Sequence, residues 1–305
     1  MSAVASPATR PAPPRRGVSP FSLIVTAIER LTPILPLAWL ALFFVGPLIF
    51  TIIYSFANAT FGGVTLGFTL TNFQQALSGF YLHVFLHTLV FAGLGTFGAL
   101  VIGMPLAYVL GRKAGRLRTV LAVAVLIPFW TSFLLRTLSW ETLLAAGGPI
   151  QGVLNFLGLH HGQLGWIDTN KAVAVGLIYA YLPFMVIPLF VAFDRIPADI
   201  VEASKDLGAS RVRTFLNVTL PMARPGVFTA ILLTFVPMTG EFVVPALLGG
   251  NKGVLMGGLI YSQYLGAANY PLGSAMAVLV MAVIGIVLIA FSRLTRGFDQ
   301  IGAAA

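Results

Sequence analysis

The chain has 305 residues, of which 58% are hydrophobic and only 9% are charged, and this balance excludes an ordinary soluble globular domain. It predicts an integral membrane protein instead. The net charge of +9 does not indicate nucleic-acid binding, because the basic residues are scattered between apolar runs and form no single stripe.

The first 32 residues contain five prolines and four arginines, a composition that cannot build a core, and they are predicted to be a disordered cytoplasmic tail. Apolar runs long enough to cross a bilayer follow, and they predict one six-helix transmembrane domain over residues 33–295. A second cytoplasmic tail is expected over residues 296–305. The six predicted spans are 35–56, 84–110, 120–138, 172–193, 226–248 and 274–291.

Arginine and lysine orient the predicted bundle, since short cytoplasmic loops hold an excess of them. The N-terminal tail has 4, the loop 111–119 has 4, the loop 194–225 has 5 and the segment after the sixth predicted span, 292–305, has 2, which is 15 of 18 in all. These four segments lie on the same side of the membrane when six spans alternate. Both termini and the loop 194–225 are therefore predicted to be cytoplasmic.

A polar stretch over residues 197–221 interrupts the apolar chain between the fourth and fifth predicted spans. Asp199 and Glu202 stand three apart, as an N-cap and its capping-box partner do, and they predict the start of a short amphipathic helix. Gly208 predicts its end. The apolar stripe of this helix consists of Ile200, Ala203 and Leu207. Contact with another protein is the function expected of it.

The same stretch resembles the signature cytoplasmic loop of bacterial ABC importer permeases, whose pattern is Glu-Ala-Ala, three residues, Gly, nine residues, Ile, any residue, Leu-Pro. Here Ser204 replaces the second alanine and Val218 replaces the isoleucine. The resemblance implies a coupling helix that sits in a groove of an ATPase subunit; the alternative is a solvated loop between two spans. The residues expected to couple this chain to the ATPase are Asp199, Glu202, Ala203, Ser204, Asp206, Leu207, Gly208 and Pro221.

Glu241 is an ionisable residue inside a predicted span, which makes it a candidate functional residue. Pro237, Gly240 and Pro245 interrupt the helix around it, and a broken helix at membrane depth is tolerated where it faces protein or a watery cavity. The alternative for Glu241 is an internal ion pair with Arg136.

Aromatic residues are predicted to lie at the depth of Glu241, about 10–14 Å from the outer end of their spans. They are Trp130, Tyr179 and Tyr181. A carboxylate and ring faces together replace the hydration of a cation, so these four residues are predicted to line a substrate pathway. An interfacial aromatic belt or packing within the bundle is the alternative for the rings.

Other motifs carry no chemistry in this interpretation. Cysteine is absent, which excludes disulfides and cysteine catalysis, and no P-loop pattern is present, so the chain itself is not expected to bind ATP. The glycines of a G-x-G-x-x-G match lie inside the second span, where close helix packing explains them better. The histidine pairs lack the partners of a metal site, so no metal is expected. The residues concerned are Gly93, Gly95 and Gly98, then His83 with His87 and His160 with His161.

Three further stretches look like those of the spermidine/putrescine permease subfamily. They are PFWTSFLLRTLSW (128–140), GEFVVPALLGG (240–250) and MGGLIYSQYLGAANYPLGSA (256–275). This resemblance implies a second homologous permease subunit, a dimeric cytoplasmic ATPase that binds ATP and Mg²⁺, and a periplasmic substrate-binding protein. Membrane lipid surrounds the spans. No cofactor is expected on this chain.

The apolar runs predict an all-α membrane protein, and the resemblance implies the bacterial inner membrane, the type I ABC importer permease fold and no catalytic site on this chain. Spermidine, putrescine or a related small amine is the expected substrate. Alternatives are an ABC importer for another small solute, such as an opine or aminophosphonate, or a secondary transporter driven by an ion gradient. A membrane enzyme is disfavoured, because no convergent set of catalytic residues is visible.

Overall fold

The structure is a computed structural model that describes Thr32 and residues 34–60, 63–159, 165–250 and 253–302, with side chains up to Arg293. The chain divides into two units at the junction of Phe50 and Thr51. The predicted N-terminal tail, except Thr32, and the pair His160 and His161 lie outside the described residues.

The first half of the chain alternates long helices with short connecting elements. A small antiparallel hairpin pairs Asn58 with Thr65 and was not anticipated from the sequence. The elements are α1 (Ile34–Ser55), β1 (Asn58–Thr60), β2 (Gly63–Thr65), α2 (Thr71–Ala76), α3 (Gly79–Arg112), α4 (Gly115–Trp130), α5 (Phe133–Leu144) and α6 (Pro149–Phe156).

The second half contains three further long helices. Short helices separate them along the chain. The elements are α7 (Asn170–Asp194), α8 (Ala198–Asp206), α9 (Arg211–Thr239), α10 (Val243–Leu248), α11 (Met256–Tyr261) and α12 (Tyr270–Gly302). The chain expected to be the C-terminal tail thus continues α12 as far as Gly302.

Helices α1, α3, α7, α9 and α12 are each long and apolar enough to cross a membrane, and α4 with α5 makes a sixth span if the pair is counted together. The predicted all-α architecture of six spans is confirmed in this sense. Many apolar side chains on these helices point outwards, as expected where lipid replaces water.

The centre of the second unit is the packing of α3, α7 and α9 against one another. Small residues recur every three or four positions along α3 and let the neighbouring backbones approach closely. They are Ala92, Gly95, Ala99, Gly103 and Ala107. An added Cβ at Gly95 would lie 2.9 Å from Met238 Sδ, and one at Gly98 would lie 2.5 Å from Ile178 Cδ1. Packing therefore explains these two glycines, whereas Gly93 faces open space.

The third predicted span is not one straight helix. The chain bends by 89° between α4 and α5, where Thr131 and Ser132 are extended. Thr131 Oγ1 donates to the carbonyl oxygen of Pro128 at 2.6 Å, which stabilises the turn that ends α4. The prediction of a continuous helix over 120–138 was wrong, because the apolar run continues through the bend and hydropathy does not register it.

The fifth predicted span is interrupted, as the prolines and glycine around Glu241 indicate. Helix α9 begins at Arg211, well before residue 226, and ends at Thr239. Gly240 is the C-cap residue, and α10 starts a new short helix at Val243. The helix break at 240–242 is therefore confirmed.

Candidate functional site

Helix α8 begins differently from the sequence prediction. Its N-cap residue is Pro197, and no side chain caps the free N–H groups there. Asp199 lies inside the first turn, so the predicted capping box of Asp199 with Glu202 does not form. A carboxylate in the first turn still interacts favourably with the helix dipole.

The end of α8 agrees with the prediction, because Gly208 stops the helix with φ of +83°. Its N–H donates to the carbonyl oxygen of Lys205 at 2.8 Å, and the N–H of Ala209 donates to that of Ser204 at 3.1 Å. These two hydrogen bonds form a Schellman motif, which favours glycine in the left-handed conformation. The chain direction after α8 thus depends on Gly208.

The apolar stripe of α8 faces outwards. Leu207 is 89% exposed and Ile200 and Ala203 are exposed too, whereas Val201 is the residue that packs into the bundle. Together with Ser204, the stripe lines one wall of an open concavity of about 490 Å³. Glu202 and Asp206 are exposed on the same short helix. The helix therefore presents apolar and acidic side chains that the described chain does not cover.

Helix α8 is tied to α9, which leads directly into the membrane. The hydroxyl oxygens of Ser204 and Thr214 lie 3.2 Å apart and share a hydrogen bond. Ser210 is the N-cap residue of α9, and its Oγ accepts from the N–H of Arg213. The helix contains a wider π-helical turn at Phe215–Thr219. That turn accommodates the missing N–H of Pro221. The helix consequently runs without a break from the loop to Thr239.

Glu241 occupies the helix break and is only 7% exposed. Its Oε1 accepts from the backbone N–H groups of Val243 at 2.7 Å and Val244 at 3.3 Å, the first two residues of α10. Tyr181, on α7, donates its hydroxyl to Oε2 at 2.5 Å. The carboxylate therefore accepts hydrogen bonds from the free N–H groups at the start of α10 and joins that helix to α7. It forms no ion pair with Arg136 in the part of the chain described.

Helix α11 packs directly against this break. A Cβ added at Gly257 would lie 2.5 Å from the carbonyl oxygen of Gly240 and 2.9 Å from that of Glu241. The rings of Phe242 and Tyr261 stack beside it with centroids 5.2 Å apart. Glycine at 257 therefore allows the close approach of α11.

We expect the substitution Gly257→Ala to destabilise the break, because the new methyl group would overlap two backbone oxygens that cannot move independently. Overpacking of this kind costs about 1–3 kcal/mol. The measurement is the thermal unfolding midpoint of the purified protein. Gly258→Ala is the matched control: no atom lies within 4 Å of its added Cβ, and alanine favours a helix by about 1 kcal/mol over glycine. An equal response of the two variants would contradict this account.

The structure brings only one of the three predicted aromatic residues to Glu241. That residue is Tyr181. Tyr179 lies on another face of α7, where its ring meets Trp140 edge to face at 5.2 Å. Trp130 lies at the end of α4 and is 81% exposed. The predicted pathway residues thus occupy three different places, although Glu241 and Tyr181 form a unit.

Arg136 is a residue that the sequence analysis named only as a possible ion-pair partner. Its guanidinium lies 4.1 Å from the centre of the Phe129 ring, across the bend between α4 and α5. Its Nε and Nη1 are buried and have no hydrogen-bond partner among the described residues. The rule that singled out Glu241, a charge inside a predicted span, also applies to Arg136.

Solved structures identify the fold. A chain of a bacterial alginate ABC transporter, in complex with an alginate pentasaccharide-bound periplasmic protein, superposes with a TM-score of 0.69 and 19% identity, covering 89% of this chain and 96% of that one. A chain of the MetNI methionine ABC transporter in an inward-facing conformation superposes with a TM-score of 0.52 and 21% identity, covering 71% and 95%. The fold is that of an ABC importer permease, as expected.

The chain belongs to the family of binding-protein-dependent transport system inner membrane components, whose model matches residues 63–298. It is therefore a multi-pass inner-membrane protein. It is 34% identical over 261 residues to the spermidine/putrescine transport system permease protein PotB of Escherichia coli (strain K12), covering 85% of this chain and 94% of that protein. The resemblance to the spermidine/putrescine permeases is thus confirmed.

Proposed function

We propose that this chain is the permease subunit of an ATP-driven importer for spermidine, putrescine or a related small amine. Helix α8 is the observation that carries the coupling part of the proposal. Its exposed apolar stripe, with Leu207 at the end, has the character of a protein contact, and Gly208 fixes the direction of the chain behind it. The 34% sequence identity to a spermidine/putrescine permease supports the substrate class.

The proposed partner at α8 is one subunit of a dimeric cytoplasmic ATPase, which binds ATP and Mg²⁺. In this proposal the ATPase performs the hydrolysis, and the permease chain itself needs no cofactor and no catalytic site. When the ATPase dimer closes, α8 moves with it, and α9 transmits the displacement towards the break at Glu241. Alternating access then follows from a rigid-body movement of the spans. Both termini lie in the cytoplasm in this arrangement, in agreement with the distribution of arginine and lysine.

The proposed substrate path passes the break between α9 and α10. Glu241 provides a negative charge there, and a protonated amine is attracted to it once the break opens. Trp130 and Tyr179 remain predicted members of the path, although neither contacts Glu241 in this arrangement. One carboxylate matches a dication incompletely, so a second homologous permease contributes the remaining polar groups. A periplasmic binding protein delivers the amine to the outer side.

The test is uptake of radiolabelled putrescine and spermidine into vesicles that contain the whole complex. We expect uptake to require both internal ATP and the binding protein. Omitting either one should reduce it to the level of vesicles without the permease. Uptake that ignores ATP would contradict the coupling function, whereas ATP-dependent uptake of neither amine would retain the importer and exclude the substrate.

A further inference from the structure

A second open cleft lies on the other side of α8, between that helix, the end of α3 and the start of α9. Its volume is about 410 Å³. The deep wall is apolar and aromatic: Tyr108 meets the ring of Phe215 edge to face at 5.3 Å, and Leu216 is exposed at the mouth. The cleft is therefore a surface that favours an apolar group.

Three cations surround this apolar wall, one from each of the three elements. Lys113 caps the end of α3, Lys205 lies in the last turn of α8 and Arg211 lies in the first turn of α9. All three are exposed, and the Nζ of Lys113 lies 5.9 Å from the centre of the Tyr108 ring. No carboxylate lines the cleft.

These cations have no anionic partner within the described ranges. The one salt bridge found there joins Arg118 to Asp194, outside the cleft. Three like charges around one cleft repel one another unless an anion lies between them. A ligand that fits therefore carries negative charge at one end and a hydrocarbon part at the other.

We propose that this cleft binds an anionic phospholipid of the cytoplasmic leaflet. The headgroup phosphate lies between Lys113, Lys205 and Arg211, and an acyl chain covers Tyr108, Phe215 and Leu216. The position supports this occupant, because the cleft lies where α3 ends, in the loops expected to be cytoplasmic, and basic pockets there attract anionic headgroups. An acidic surface of a protein partner would match the charges but leave the apolar wall exposed.

The bound lipid would join a span to the coupling helix, since Lys113 is the C-cap residue of α3 and Lys205 belongs to α8. This consequence rests on the proposed function of α8. Lipid binding itself does not depend on it, and it is measured without transport.

The experiment compares lipid retention by the assembled complex, using native mass spectrometry after delipidation and readdition of phosphatidylglycerol or phosphatidylcholine. We expect the wild type to retain phosphatidylglycerol in preference to phosphatidylcholine. The double variant Lys113→Gln/Arg211→Gln should bind phosphatidylglycerol about 25-fold more weakly, at about fivefold for each charge removed. Leu216→Gln should weaken both lipids by making the apolar wall polar.

The matched control is the double variant Arg116→Gln/Arg293→Gln, which removes two exposed cations from outside the cleft and should retain phosphatidylglycerol as the wild type does. Equal retention of the two lipids by the wild type would overturn the proposal, as would unchanged binding by the cleft variant. Loss of the ATPase subunit from the cleft variant with unchanged lipid would also overturn it, and would assign the cations to the protein partner.

Discussion

Uptake by the assembled complex should fall about tenfold or more when Leu207 is replaced by Asp. The side chain is 89% exposed in this chain and is expected to be buried in the ATPase contact. Burial of a leucine contributes about 1.5–3 kcal/mol, and a buried unpaired carboxylate costs more, while each 1.4 kcal/mol corresponds to a factor of ten. The measurements are uptake and the amount of ATPase subunit that co-purifies with the permease.

The control for this substitution is Leu117→Asp, which changes another exposed leucine, in the first turn of α4 and within the stretch 111–119 expected to be cytoplasmic. It should insert into the membrane and transport normally. Because Leu207 packs on little within this chain, Leu207→Asp should leave the thermal unfolding midpoint of the isolated permease unchanged. Full transport by the Leu207 variant would refute the assignment of α8 as the ATPase contact.

The second large effect is expected at Glu241, where two substitutions separate charge from hydrogen bonding. Glu241→Ala removes the acceptor of two backbone N–H groups and of the Tyr181 hydroxyl. Each buried group left without a partner costs about 1–3 kcal/mol. We therefore expect the thermal unfolding midpoint to fall by several degrees and uptake to be lost.

Glu241→Gln keeps a carbonyl oxygen for the N–H groups of α10, and its amide can donate to the oxygen of Tyr181. The fold should then survive while the negative charge disappears. We expect uptake of putrescine at limiting concentration to fall about tenfold, since a hydrogen bond to a charged group contributes about 1.5–3 kcal/mol. Unchanged uptake would show that Glu241 holds the break without contacting the amine.

Two tyrosines provide a matched pair for the same site. Tyr181→Phe removes the hydroxyl that donates to Glu241, whereas Tyr179→Phe removes one that lies on another face of α7. The Tyr181 variant should destabilise the protein and the Tyr179 variant should not. A reversed order would mean that the contact between Tyr181 and Glu241 does not stabilise the native state.

The spans were predictable because hydropathy and length alone decide whether a segment crosses a bilayer. The bend at Thr131 and Ser132 was not predictable, because both residues lie in an apolar run that continues on either side. The break at Gly240 was visible, since proline and glycine there interrupt the helical pattern.

Depth along a span was a poor guide to which side chains meet. Tyr179 and Tyr181 lie at similar depth, but they are two positions apart. Side chains two positions apart in a helix point about 200° away from each other, so at most one of these tyrosines faces Glu241. Applied to the sequence, that angle would have shown that the two tyrosines face different directions. It would not have shown which of them faces Glu241. The contact joins residues 60 positions apart and depends on how α7 and α9 pack.

The polar stretch 197–221 also separates what the local sequence determines from what tertiary packing determines. Gly208 was predictable as a helix stop, because left-handed backbone strongly favours glycine. The direction in which the apolar stripe of α8 faces was not predictable. Amphipathicity marks an apolar face but does not say whether the same chain or another one covers it. Here Val201 packs inside and Leu207 stays outside.

The uninterrupted course of α9 gives the protein a lever arm. Its 29 residues span about 43 Å at 1.5 Å per residue. If the helix tilts as a rigid rod, a rotation of roughly 5° about the loop end displaces Thr239 by about 4 Å, on the order of one residue of extended chain. If α8 moves with the ATPase as proposed, a small rotation there is thus amplified at the break, where Glu241 joins α10 to α7.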